Sequence, residues 1–272
     1  RTGTGGMLGP VVDSACHVWV DSPQFPFAKQ AADAIPWTKG GAAEAASAEL
    51  LLELMDNNAV DKTVLIQPIC YAFDNTYVLS CATKWPDRFA AVARVDPQDA
   101  SAPETLERLV RQGAVGVRFG PVQQAWWEAP LMGDILDKAA ELDVPVLLFL
   151  GKDGGRALEW VAPVLRKHPS TKVVIDHMAD VPPADEDQIL ALLGLKTLPN
   201  LYVKISHTWA ISTEGAYPWS DGVTLARRVI TTFGPARAMF ASDWPVCTRP
   251  VWPGGAAAYE ETVRLAKEEV AG

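Results

Sequence analysis

The sequence predicts a single-domain (β/α)8 barrel, and three observations lead to that fold class. Short apolar runs alternate with amphipathic stretches eight times along the chain. Some runs, such as Val144–Leu150, are apolar throughout, which is typical of parallel strands covered on both faces. A chain of 272 residues is long enough for one such barrel. A doubly wound open sheet is the alternative, but the glycine-rich phosphate turn of that fold is missing between Asp13 and Trp19.

The predicted strands are apolar and β-branched runs that end in turn residues or polar side chains. They lie at Val11–Trp19, Lys62–Gln67, Arg88–Val95, Gly113–Phe119, Val144–Leu150, Lys172–His177, Leu201–His207 and Ala238–Asp243. Side chains alternate between the two faces of an extended strand. Ala15 and His17 are therefore expected to point the same way, and Cys16 the other way.

A helical stretch with apolar residues on one face follows each strand. The predicted helices are Ser47–Asn58, Asn75–Lys84, Ala102–Gln112, Leu131–Leu142, Gly155–Lys167, Glu186–Leu195, Gly222–Phe233 and Ala256–Ala271. Ser47 is placed to cap the first of them. The segment 20–46 is too long for a routine connection, so we expect it to cover part of the barrel.

Composition excludes several classes of partner. The net charge of −9 comes from 33 acidic and 24 basic residues with no long block of one sign, which argues against nucleic-acid and membrane-surface binding. No apolar run reaches the length of a membrane span, and Arg1–Pro10 lacks a signal-peptide core. We expect a flexible lead at 1–10, one barrel domain at 11–272 and a cytoplasmic protein; nothing in the sequence indicates its oligomeric state. The cysteines lack CxxC spacing and are predicted to be reduced thiols: Cys16, Cys70, Cys81 and Cys247.

Polar side chains gather at the carboxyl ends of the predicted strands, where the active sites of such barrels lie. They are His17, Arg118, Asp176-His177, Ser206-His207 and Asp243. We expect them to converge on one site in which His17, His177 and Asp243 carry out chemistry. The alternative is that the histidines are only hydrogen-bonded strand-end residues.

Asp243 is the candidate general base. It enters an apolar strand end beside Trp244-Pro245, where loss of solvation is expected to raise its pKa toward the range useful for proton transfer. The alternative is that Asp243 caps the loop after the eighth strand.

Seven short motifs occur in order along the chain and together resemble the amidohydrolase superfamily, in its branch of 2-pyrone-4,6-dicarboxylate lactonases and related lactone hydrolases. They are Val12–Val18, Phe25–Ala28, Cys70 with Asp74-Asn75, Gly116–Phe119, Val174–Met178, Lys204–Ser206 and Ser242–Pro245. The resemblance implies a (β/α)8 barrel in which a strand-eight aspartate activates water against a carbonyl. By the same resemblance, His17 matches the second histidine of a His-x-His pair, His177 the strand-six histidine, Asp243 the base and Arg118 a substrate contact.

The sequence departs from that family at several positions. Ala15 stands where the first histidine is expected, which removes one potential metal ligand. Ala15 is either a natural drift away from hydrolysis or an introduced replacement of histidine. Many relatives hold a divalent metal, whereas the resemblance to the pyrone lactonases implies none. We therefore predict no cofactor, with zinc or manganese as the open alternative.

The predicted substrate pocket is less cationic than that of a dicarboxylate lactonase. Tyr71 replaces a histidine, Phe149 a tyrosine, and Gln123 or Gln124 an arginine of that branch. Tryptophans on presumed mouth segments favour an aromatic or apolar small-molecule substrate, although they could instead only pack loops: Trp19, Trp126, Trp127, Trp209 and Trp244.

We therefore predict a hydrolase that opens a lactone or similar activated carbonyl without a metal. Asp243, His177 and His17 are the predicted catalytic residues. The predicted substrate-binding residues are Arg118, Tyr71, His207, Trp19 and Phe149. Two alternatives remain: a metal-dependent decarboxylase with a similar mouth, and a barrel that has lost catalysis and binds a small molecule.

Overall fold

Eight parallel strands form one sheet in which each strand pairs with the next along the chain. The computed structural model describes residues 9–29, 46–120, 129–151, 154–248 and 256–270. The strands are β1 (Val12–Cys16), β2 (Lys62–Ile66), β3 (Phe89–Ala93), β4 (Ala114–Phe119), β5 (Val146–Leu148), β6 (Val173–Ile175), β7 (Leu201–Ile205) and β8 (Ala238–Phe240). The sheet closes beyond β8, where the His17 amide donates to the Trp244 carbonyl (2.6 Å) and the Asp243 amide to the Ala15 carbonyl (3.0 Å). The predicted (β/α)8 barrel is confirmed.

Helices connect successive strands on the outside of the barrel. Those in the described residues are α1 (Ala48–Asn57), α2 (Thr76–Lys84), α3 (Ala102–Arg111), α4 (Met132–Glu141), α5 (Gly154–Lys167), α6 (Glu186–Gly194), α7 (Thr208–Ile211), α8 (Ser220–Phe233) and α9 (Tyr259–Leu265). Ser47 caps α1 as expected, because its hydroxyl accepts a hydrogen bond from the Leu50 amide (3.2 Å). None of these helices is long and apolar enough to cross a membrane. The four cysteines are free and buried.

A small apolar layer fills the barrel axis. Its buried members are Ala15, Ile66, Val92, Leu147, Val174 and Ala241. Since side chains alternate along a strand, the residues two positions further on also face the axis, at the carboxyl end of the barrel. This places His17, Arg94, Phe149, Asp176 and Asp243 around one mouth.

The last three strands end earlier than the sequence predicts. The predicted strands ran through His177, His207 and Asp243, but the backbone φ angles of these residues are 54°, 59° and 58°. A left-handed residue cannot continue an extended strand, and for a residue other than glycine this conformation costs ~1–2 kcal/mol. Asp176 and Ser206 face the barrel axis. In an extended strand the next residues, His177 and His207, would therefore point away from the axis. The left-handed turns bring both imidazoles back to the mouth.

Helix α7, which directly follows His207, packs closely on α8. A Cβ atom built on Gly222 would lie 2.5 Å from the Thr208 carbonyl oxygen. Only glycine allows this approach of the two backbones.

We expect Gly222→Ala to lower the free energy of unfolding by ~1–3 kcal/mol, because the added methyl forces α7 and α8 apart. The matched control is Gly194→Ala, where a Cβ atom meets nothing within 4 Å and the backbone is already helical. That change should leave stability unchanged or raise it by about 1 kcal/mol. Urea unfolding followed by circular dichroism measures both variants, and equal effects would contradict the close packing.

Candidate active site

Asp243 lies at the centre of the site, between two histidines. Its Oδ1 is 3.1 Å from Nε2 of His17, and its Oδ2 is 2.9 Å from Nε2 of His207. Asp243 is 3% exposed. We call these two contacts, of His17 and His207 with Asp243, the histidine bracket. The histidine bracket links the ends of β1, β7 and β8, so the site forms only when the barrel closes.

A hydrogen bond to a backbone carbonyl fixes the orientation of the His17 ring. Its Nδ1 is 2.9 Å from the carbonyl oxygen of Ile66 at the end of β2. A carbonyl only accepts, so Nδ1 carries a proton and donates it there. Nε2 is therefore the nitrogen that His17 presents to Asp243.

His207 lies between two carboxylates. Its Nδ1 is 2.7 Å from Oδ1 of Asp180, opposite the contact of its Nε2 with Asp243. Burial alone would lower the pKa of His207, but Asp180 and Asp243 outweigh burial and raise it to about 10. His207 is thus an imidazolium at neutral pH.

His177 stacks on that imidazolium with the ring centroids 3.6 Å apart and the planes 5° from parallel. Its Nδ1 is 2.8 Å from the Ser206 hydroxyl. Burial and the neighbouring charge of His207 lower the pKa of His177 well below its usual value. His177 is therefore the neutral histidine of the site, and the Phe149 ring meets its edge at a centroid distance of 5.2 Å.

The expectation that the pKa of Asp243 is raised was wrong. Burial does raise the pKa, but the hydrogen bonds of His17 and His207 and the positive charge of His207 outweigh burial and hold it well below its usual range. The apolar neighbours Trp244 and Pro245 suggested only the burial contribution. Asp243 is consequently ionised throughout the neutral range.

A second group of charges occupies the β4, β6 and β7 side of the mouth. Nε of Arg118 donates to Oδ2 of Asp176 (2.8 Å), and the ammonium of Lys204 is 3.0 Å from Oδ1 of the same carboxylate. Although burial opposes it, the attraction of Lys204 and Arg118 holds the pKa of Asp176 far below its usual range. The Arg118 guanidinium also lies over the Phe149 ring, 5.0 Å from its centroid.

Two predicted substrate contacts, Tyr71 and Trp19, pack in one apolar cluster. The Tyr71 hydroxyl donates to the Val20 carbonyl (2.6 Å) and accepts from the Val20 amide (2.8 Å), so it holds the chain after β1. Trp19 is buried in the same outer apolar cluster as Tyr71. Backbone hydrogen bonds therefore engage the Tyr71 hydroxyl, and apolar packing encloses Trp19.

Two of the predicted mouth tryptophans pack in the outer apolar cluster. Trp209 and Trp244 are buried in the outer cluster that holds Trp19, although the Trp209 ring also meets the edge of His207 at 5.0 Å. Trp126, Trp127, Gln123 and Gln124 lie outside the described residues.

Sequence reasoning did not identify three charged residues of this mouth as site residues. Asp180 orients His207, Lys204 completes the Asp176 ion pair, and Arg94 lies at the end of β3. Strand alternation could have found Arg94 and Lys204, since each follows an inward-facing residue by two positions. Asp180 carries no such signal, because the left-handed turn from His177 to Asp180 brings it to the site.

A family model described as amidohydrolase matches residues 12–271. The chain belongs to the amidohydrolase family. Among curated amidohydrolase relatives, an L-fucono-1,5-lactonase of Burkholderia ambifaria is 30% identical over 71% of this chain and 68% of its own length. A 2-pyrone-4,6-dicarboxylate hydrolase of Comamonas testosteroni is 27% identical over 86% of this chain and 76% of its own length.

Solved structures share the amidohydrolase barrel. An amidohydrolase from Burkholderia multivorans with bound zinc has a TM-score of 0.72 at 22% identity and covers 97% of this chain and 92% of its own. A 2,6-dihydroxybenzoate decarboxylase from Rhizobium has a TM-score of 0.67 at 16% identity, with coverage of 96% and 93%. At these identities the likeness shows the fold alone.

The residues of this amidohydrolase mouth also fit a divalent metal ion. His177, His207 and Asp243 can each offer one ligand atom, and these atoms lie within 4.8 Å of one another. Imidazole and carboxylate are ligands that zinc and manganese accept. The Nδ1 contacts of His177 with Ser206 and of His207 with Asp180 are of the kind that orients metal-binding histidines. A bound ion is therefore compatible with the donor set.

We expect Asp176→Asn to lower the free energy of unfolding by ~3–5 kcal/mol, because it leaves two buried cations without their carboxylate. The matched control is Glu186→Gln, which removes the same charge from an exposed pair with Arg228 (2.7 Å) and should change stability little. Urea unfolding at neutral pH compares the two variants. A small effect of Asp176→Asn would show that the ion pair contributes little to stability.

Proposed function

We infer that the protein hydrolyses a lactone or a similar activated ester, with Asp243 as the general base. The observation that carries this proposal is the bracketed carboxylate at the closed end of the barrel, ionised and held by His17 and His207. The names of the two curated relatives support a lactone or another cyclic ester as the substrate class.

The first step is proton transfer from a water molecule to Asp243 as its oxygen attacks the carbonyl carbon. A carboxylate with a low pKa is by itself a weak base. When Asp243 takes the proton, however, the negative charge moves to the tetrahedral oxyanion. The positive charge that lowers the pKa of Asp243 therefore still has an anion beside it. The histidine bracket thus stabilises the carboxylate before the transfer and the oxyanion after it.

Neutral His177 and cationic Arg118 are the proposed donors to the substrate carbonyl. If the Ser206 hydroxyl donates to Nδ1 of His177, the other ring nitrogen carries the proton and can donate to the oxyanion. A neutral donor suits this role because it does not ion-pair with Asp243. Phe149 packs against both His177 and Arg118 and fixes their relative orientation.

Collapse of the tetrahedral intermediate opens the ring. The bond between the carbonyl carbon and the ring oxygen breaks, and the leaving oxygen takes the proton back from Asp243. The product is a hydroxy acid and Asp243 is ionised again. A divalent ion held by His177, His207 and Asp243 would supply Lewis-acid polarisation of the carbonyl.

The reaction is proposed to proceed without a metal ion. His207 can bind a metal only after it loses the proton that Asp180 and Asp243 stabilise, so a metal ion has to compete with that proton at neutral pH. Ala15 adds no ligand atom and packs in the apolar layer below the mouth. His207, Arg118 and Lys204 already supply positive charge around the reacting centre.

We expect Asp243→Asn to reduce kcat for lactone opening by at least ~10²-fold, because an amide cannot accept the proton from water. The reaction is followed by acid release from a panel of γ- and δ-lactones, and circular dichroism checks the fold. Asp187→Asn, on the exposed surface of α6, is the matched control. Retained activity of Asp243→Asn would refute its role as base, and release of carbon dioxide from aromatic acids would favour the decarboxylase alternative.

We expect removal of divalent ions to leave kcat unchanged within about twofold, since the residues of the chain supply the charge stabilisation. The protein is dialysed against a chelator, its zinc and manganese contents are measured by mass spectrometry, and lactone opening is assayed before and after each metal is restored. Loss of activity that returns with one stoichiometric equivalent of metal would show a metal-dependent reaction.

A further inference from the structure

Arg94 is a buried cation at the mouth with no assigned role. It follows the last residue of β3, and Val92, two positions earlier, belongs to the apolar layer on the barrel axis. Alternation therefore points Arg94 toward the same mouth as His17, Asp176 and Asp243. Arg94 is 2% exposed.

The guanidinium of Arg94 has no hydrogen-bond acceptor or ion-pair partner in the part of the chain that the structure describes. Among the described residues, neither Nη1 nor Nη2 has a hydrogen-bond acceptor, and no carboxylate forms an ion pair with it. Burial and the nearby charge of Arg118 lower its pKa to about 9, so it is still charged at neutral pH. A buried charge without a partner is costly, and such groups in native proteins call for a functional explanation.

The backbone around Arg94 is held firmly. The Asn75 side chain accepts from the Arg94 amide (2.8 Å) and donates to the Arg94 carbonyl (3.0 Å). The Phe73 ring lies beside the guanidinium, 5.7 Å from its centroid. The scaffold thus fixes Arg94 in place, while its terminal nitrogens meet no hydrogen-bond acceptor among the residues that the structure describes.

The charges next to Arg94 are unbalanced toward the positive. Arg118 and Lys204 share the single carboxylate of Asp176, and Arg118 uses its Nε for that bond. Arg94 is the cation of this group that no carboxylate neutralises among the described residues. One more anionic group would complete it.

We propose that Arg94 binds a carboxylate of the substrate, and that the substrate is accordingly a lactone that carries an acid group. This inference rests on the proposed lactone hydrolysis and specifies its substrate class. A guanidinium matches a planar carboxylate with two parallel hydrogen bonds, which its two free nitrogens can supply. Arg94 then fixes one end of the substrate while the ester carbonyl faces Asp243.

A binding experiment tests the contact of Arg94 with a carboxylate, and a separate turnover experiment tests its effect on lactone opening. The binding probe is tetrahydrofuran-2-carboxylate, which cannot be hydrolysed, compared with its neutral amide by isothermal titration calorimetry. We expect the wild-type protein to bind the acid at least tenfold more tightly than the amide. Arg94→Met should weaken binding of the acid by about 10- to 100-fold and leave the amide unaffected. Arg94→Lys, which keeps the charge but loses the paired geometry, should fall between them.

Turnover uses 5-oxotetrahydrofuran-2-carboxylate and its amide, with Arg228→Met on the exposed face of α8 as the matched control. We expect Arg94→Met to reduce kcat/KM for the acid alone. Equal binding of acid and amide by the wild type, or unchanged acid binding in Arg94→Met, overturns the inference. If Arg94→Met does not fold, Arg94→Lys decides in its place. Preferential acid binding without ring opening would contradict lactone hydrolysis but leave the anion site standing.

Discussion

The contact of Asp243 with His17 and His207 is the interaction on which the rest of the site depends. It joins the ends of the first, seventh and eighth strands, where two backbone hydrogen bonds also close the sheet. A closed barrel has no sheet edge, so this seam contributes to both fold and site. The positive charge of His207 and the hydrogen bonds of His17 and His207 keep this buried carboxylate ionised.

The buried charges at the mouth form two groups. Asp180 and Asp243 enclose His207, while Arg118 and Lys204 enclose Asp176. Each group is locally paired, which reduces the cost of burying ions. Neutral His177 lies between them, stacked on His207 and edge-on to Phe149, which covers Arg118. The stack explains why one histidine is charged and its neighbour is neutral, since two adjacent imidazolium rings would repel each other.

Hydrophobic periodicity predicted the barrel and all eight strands, because covered parallel strands leave long apolar runs. It did not predict where the last strands end. The residues that end them, His177, His207 and Asp243, adopt left-handed backbone conformations that local propensity disfavours and that the packed mouth imposes. The direction of the pKa shift of Asp243 was mispredicted for a similar reason. Its adjacent residues along the chain are apolar, whereas the histidines that set its pKa come from other strands.

The side chains that face the mouth are more highly charged than the tryptophan content of the chain suggested. Trp19 and Trp244, which favoured an apolar substrate, pack in the outer layer, and the inward-facing positions hold Arg94, Arg118, Asp176 and Lys204. Inward position and charge together decide what a barrel mouth binds, whereas the number of aromatic residues in the chain does not. Because strand alternation can be read from sequence, the residue two positions after each axial apolar residue is the informative one. At β3 that residue is Arg94, the one cation of this group that no carboxylate neutralises among the described residues, so this strand end supports an anionic group on the substrate.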